Sequence, residues 1–177
     1  MNKKADVWVS TVIYVGIAIT IITIVLAAGL PVINRMRDRN TITETKDILY
    51  QLNDDIKQTI RDGPGAQRTP SIKISKGEFK IDPTGIIWTL PNSKFKYSEI
   101  GESIQEGDLI INTTVTPVSD EYSVKLILDY SATKIKLESP IKTLSGQYNL
   151  LVKYSGVVTV VNPPSTYSNV TINEIAA

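Results

Sequence analysis

Three regimes of hydrophobic and polar positions follow one another along this chain. Residues 7–33 form an unbroken run of twenty-seven without a charge, fifteen of them Ile, Val or Leu. About 20 apolar residues suffice to cross a hydrocarbon core ~30 Å thick. At roughly −0.3 to −0.6 kcal/mol each, those fifteen favour insertion by about 5 to 9 kcal/mol. The run therefore predicts a helix that meets a membrane. Its one breaker, Pro31, lacks an N–H and is expected to kink or locally open the helix near Ala27.

The second regime has helical spacing. In residues 41–62, apolar positions recur by seven at Ile42, Leu49 and Ile56, and by four at Ile48, Leu52, Ile56 and Ile60. That places them on one helix face, with polar residues elsewhere. Gly63-Pro64-Gly65 ends the helix. Residues 34–40, NRMRDRN, permit continuation, so one helix from Val7 to Asp62 is expected, about 84 Å long. Its outer half carries a stripe that needs cover. Ile48, Leu49, Leu52, Ile56 and Ile60 are predicted to dock on the rest of the chain.

From Thr69 the period becomes two. In Glu121 to Tyr130, side chains Tyr122, Val124, Leu126, Leu128 and Tyr130 share a face. Comparable runs lie at residues 71–75, 79–81, 86–90, 94–100, 108–116, 134–138, 148–154, 156–161 and 169–172. Turn residues separate several of them, as in Asp82-Pro83-Thr84-Gly85 and Glu106-Gly107-Asp108. About ten short strands in ~105 residues read as an antiparallel β-sandwich or barrel. The fold class is α+β: a long hydrophobic-to-amphipathic helix (residues 6–62), a linker (63–70) and a β-domain (71–177).

Composition narrows the chemistry. There is no cysteine and no histidine, which excludes disulfides, thiolate ligands and imidazole bases. No nucleophile–base pair can be named, so the expectation is a non-enzyme with no catalytic residue, cofactor or metal. Charges balance within residues 34–62 (six of each sign) and within 63–177 (eleven of each). Without a basic stripe, no nucleic acid is expected. Asp54 and Asp55 are helix neighbours that point to different faces. Glu99, Glu102, Glu106 and Asp108 are too sparse for a calcium loop. Asn112 and Asn169 are N-glycosylation acceptors by pattern.

The apolar run is too long for a secretory signal of 7–15 residues, although Val25-Leu26-Ala27 and Ala27-Ala28-Gly29 are weak cleavage sites. Lys3 and Lys4 precede it, and Arg35, Arg37 and Arg39 follow it. That count slightly favours a cytoplasmic C-terminal side. The exported character of the β-domain outweighs it.

The N-terminal stretch MNKKADVWVSTVIYVGIAITIITIV has a short basic leader, a small residue, an acid and then the apolar run. It resembles the class III leader of archaeal type IV pilins and archaellins. The resemblance covers the leader and long helix, about the first third of the chain. It implies cleavage of residues 1–5 by a prepilin peptidase, with Lys3 and Lys4 as the basic residues, Ala5 before the cut and Asp6 after it. It implies a lollipop-shaped pilin, held in the cytoplasmic membrane as a precursor. Assembly machinery then draws it into a surface filament, a helical homopolymer serving adhesion. A cell-surface or glycan ligand is a candidate partner. The bacterial glutamate at the fifth mature position is absent, Ser10 standing there, and the Gly-rich helix start of archaellins is absent too. Both departures point to the archaeal pilin branch.

In such a polymer helices pack through small residues that let backbones approach. Ser10, Gly16, Ala18, Ala27, Ala28 and Gly29 are the candidates. The alternative reading is a signal-anchored extracytoplasmic β-sandwich binding module that forms no filament.

Overall fold

A computed structural model describes residues 3–141, 144–161 and 164–175, of which residues 3–10, 144, 145 and 164 are described by backbone alone. The chain has one long N-terminal helix followed by a curled, mostly antiparallel sheet, an α+β architecture. Helix α1 runs Lys3–Arg61 and passes through Pro31 without a break. Losing one N–H costs the helix a single bond, and the flanking turns carry it across. Gly63 (φ 99°) and Gly65 (φ 92°) end it in left-handed conformations that a side chain would strain.

Two compact units divide the chain at residues 37 and 38, inside the helix. The described part of the first, residues 3–37, is helix alone. The second holds the rest of α1 and nine strands: β1 (Gln67–Arg68), β2 (Ser71–Asp82), β3 (Gly85–Ser93), β4 (Ser103–Glu106), β5 (Leu109–Val115), β6 (Tyr122–Asp129), β7 (Ile135–Glu138), β8 (Leu144–Val161) and β9 (Pro164–Ile175). They form one continuous sheet in the order β4-β5-β6-β3-β2-β8-β9-β7, with β1 on β8. All pairs are antiparallel except β7 with β9.

The alternation in β6 is realised: Val124, Leu126, Leu128 and Tyr130 are buried. They join Phe79, Ile86, Trp88, Leu90, Leu109 and Ile111 in one core, together with Ile42, Leu49, Leu52 and Ile56 of the helix. The sheet curls because its inner face must cover a helix as well as itself.

Details differ from the sequence pattern where local chemistry intervenes. The runs at 71–75 and 79–81 are one strand, β2, bent at Gly77 (φ 89°). A Cβ there would lie 2.7 Å from the Trp88 Nε1 and from the Thr89 carbonyl oxygen. The absent side chain lets the Trp88 Nε1–H reach the Lys76 carbonyl at 3.0 Å. The runs at 148–154 and 156–161 likewise merge into β8, with a register shift at Gly156. Residues 94–100 do not form the expected strand. Phe95 and Tyr97 pack edge to face at 6.2 Å. Both take helix cations on their rings, Arg39 on Phe95 and Lys46 on Tyr97. The Ser93 hydroxyl closes the local turn on Phe95. Short Ser103–Glu106, whose pattern is too polar to stand out, becomes strand β4 by pairing in a tight hairpin with β5.

Candidate functional site

The most distinctive surface is the first helical unit. From Thr11 to Arg37 every residue is exposed except Gly29, which is half-buried. Thirteen of these exposed positions are Val, Ile or Leu, and Tyr14 and Met36 are exposed with them. The helix is long and apolar enough to cross a membrane. The hydroxyls of Thr20 and Thr23 donate to the carbonyls of Gly16 and Ile19, each at 2.8 Å. Such back-bonding hides hydroxyls in an apolar medium.

Gly16 and Gly29 have nothing within 4 Å of an added Cβ. Ala18, Ala27 and Ala28 are exposed. Among the described residues, nothing lies close enough to require small residues at Gly16 or Gly29. Lys3, Lys4, Ala5, Asp6 and Ser10 lie on the helix backbone, and their side chains fall outside the described residues.

From Asp38 the same helix is anchored. Asp38 is buried; its carboxylate accepts from the Lys76 ammonium at 2.7 Å and from the Lys94 backbone N–H at 2.7 Å. Of the residues predicted to dock, Leu49, Leu52 and Ile56 are fully buried, while Ile48 and Ile60 flank the core half-buried. The contact face extends through Ile42, Thr45, Asn53 and Thr59, all buried. Thr45 and Thr59 escape an apolar pattern search, yet their hydroxyls back-bond to Thr41 and Asp55 and so enter the core without an unmet donor.

Beside this apolar face runs a polar seam. The β4–β5 turn places Glu106 and Asp108 against helix lysines. Lys46 contacts Glu106 at 2.6 Å and the Tyr97 hydroxyl at 2.8 Å. Tyr97 donates to the other Glu106 oxygen at 3.1 Å, and the Tyr50 hydroxyl donates to the Glu106 carbonyl at 3.1 Å. Asp108 accepts from Lys57 and, at 2.9 Å, from the Asn53 amide; the Asn53 oxygen accepts from buried Tyr130 at 2.9 Å.

The hydrogen bond from Lys46 holds the Glu106 carboxyl below its ordinary range. Lys57 and then Asn53 do the same for Asp108. Burial opposes the Lys46 charge, but its bonds to Glu106 and Tyr97 outweigh that and push its pKa up. Burial pushes the Tyr130 hydroxyl up as well. The four acids considered together in the sequence are thus split: Glu106 and Asp108 tie a hairpin to the helix, and Glu99 pairs with Lys96.

The two glycosylation acceptors fare differently. Asn112 is half-buried on β5, its amide donating to the Ser103 hydroxyl at 3.0 Å. Asn169 is 7% exposed inside the β7-β9-β8 pairing. Burial of Asn169 on a paired strand counts against a glycan there, whereas Asn112 is the more accessible of the two.

The fold and this arrangement define a class: a small α+β domain built onto a long helix whose first half is apolar and bare. Searches of protein-family models, curated proteins and solved structures find no match to the chain.

Proposed function

We propose that this protein is a structural subunit of an extracellular type IV pilus-like filament, serving adhesion. It enters the membrane as a precursor, is cut between Ala5 and Asp6, and polymerises through its N-terminal helix. The observation that carries this reading is the contrast within α1. Residues 38–61 bury a stripe on their own sheet, whereas the apolar side chains of residues 11–33 are exposed among the described residues. Lipid covers such a surface before assembly. Copies of the same helix cover it afterwards, at little transfer cost, because both surroundings are apolar and packing decides. One heterologous contact repeated gives an open helical polymer. The basic leader followed by Ala5-Asp6 supports the same reading, by resemblance to class III leaders.

Mass spectrometry of native surface protein tests it, together with electron microscopy of sheared surface material. Asp6 as the first residue, on filaments made of this chain, is the expected result. Surface protein that keeps Met1 and forms no filaments would replace the reading with a signal-anchored binding module. A start beyond Ala27 would make it a secreted domain.

A further inference from the structure

The sheet ends in a projection with unusual chemistry. From Tyr154 to Asn173 there are twenty residues without a charge; the described ones among them form the end of β8 and most of β9. Strand β2 accompanies β8 only as far as Asn149, and β1 meets it at Val152 and Lys153. Strand β7 meets β9 from Ser168 to Thr171. In the sheet ladder of the described residues, Val158–Val161 and Pro164–Tyr167 have each other as strand partners, through Val158 with Tyr167, Thr159 with Thr166 and Val160 with Ser165. Val157 (61% exposed) and Val161 (85%) face water on one side of this ribbon, and Val158 and Val160 are exposed on the other.

A lone two-stranded ribbon is marginal in water. An uncharged, β-branched edge is also a template for pairing, which proteins usually blunt with charge. This protein does so elsewhere: the end strand β4 carries Glu106 beside Glu102, and the other end strand β7 carries Lys136 and Glu138 beside Lys134. Among the described residues, the paired ends of β8 and β9 carry no such charge.

We propose that this ribbon, through residues 157–161 and 165–167, is a contact surface for a second copy of the same chain. The proposal rests on the filament reading above. Its size argues for that occupant. A standing interface uses about 20–30 residues a side, and the ribbon offers about ten. Alone it is too small to hold a partner from solution. It gains a neighbour only where another contact already keeps copies at close quarters, and the bare apolar helix supplies that contact. Its lack of charge fits a like uncharged surface and leaves no basis for recognising a charged one.

The test places a benzophenone amino acid at position 161 of the full-length chain, in the cells that make it. The same probe at position 22 of the bare helix is the control. After irradiation, the expected product from position 161 runs at twice the subunit mass and yields peptides of this chain alone. A product containing another protein, or no product while position 22 cross-links, would overturn the proposal. A second variant, Val157→Lys with Val161→Lys, should reduce the position-22 cross-link little and shorten filaments severalfold; unchanged filament length would count against the contact. The two readings fail separately. Self-cross-linking at 161 without filaments keeps the ribbon contact and removes the filament. Filaments without cross-linking at 161 do the reverse.

Discussion

The two halves of helix α1 share a backbone and differ in everything their side chains ask of the surroundings. Residues 11–33 carry no charge, and the hydroxyls of Thr20 and Thr23 fold back on the helix. Residues 38–61 are apolar along one stripe, and the rest of their surface is polar, much of it charged. The first half accepts any apolar medium. The second accepts one partner in one register, because Leu49, Leu52 and Ile56 must enter a packed core while Lys46 and Lys57 meet Glu106 and Asp108. Interiors packed at crystal density discriminate shape, whereas lipid does not.

The largest effect should come from charging the docked stripe. Leu52→Asp with Ile56→Asp should abolish cooperative unfolding of the domain, since two carboxylates would be buried without partners. Leu52→Ala alone should cost about 2–5 kcal/mol. In the bare half, Ile21→Ala with Ile24→Ala should leave the denaturation midpoint of the detergent-solubilised chain unchanged. A shift there as large as that of Leu52→Ala would erase the distinction between the halves.

Next comes the residue that opens the docked half. Asp38→Ala leaves the Lys94 N–H and the Lys76 ammonium without their acceptor and should cost about 1–3 kcal/mol in the same assay. Lys76→Met should cost less, because its ammonium is half exposed and water replaces the lost partner.

The polar seam makes the docking sensitive to acid. Glu106 and Asp108 have folded pKa values below their unfolded ones. Such groups contribute stability that is fully present above the unfolded value and is lost as the pH falls through the folded one. The melting temperature should thus be level at neutral pH and decline as the pH drops through and below the usual carboxylate range. Asp108→Asn should make that decline shallower. An identical acid limb in the variant would show that the seam plays no part.

The smallest effect on the domain is expected at Gly16. Among the described residues nothing lies within 4 Å of its missing side chain, so Gly16→Leu should leave domain melting and membrane insertion unaltered. The same variant should reduce or abolish filaments, because only a neighbouring helix could need that space. Micrographs with normal filaments would remove Gly16 from the contact.

How much of this was legible beforehand follows the range of the forces involved. Helix extent, its stop at Gly63, the apolar character of residues 7–33 and the inward face of β6 are local periodicities, and the sequence by itself determined them. The stripe through Leu49, Leu52 and Ile56 was readable for the same reason. What lay opposite it was not. Strand order is decided by which edges meet after the chain folds back, and composition carries no address for that. The anchoring of α1 at Asp38 depends on Lys76 and the Lys94 amide, remote in sequence. Glu106 and Asp108 looked like a loose acidic loop until the hairpin set them against Lys46 and Lys57. Residues 94–100 alternate like a strand, yet Phe95 and Tyr97 turn to the helix because two cations wait there. Asn169 matched an acceptor pattern, and only the pairing of β7, β8 and β9 put it under cover. Period and composition express what each residue avoids; which partner satisfies it is a property of the packed structure alone.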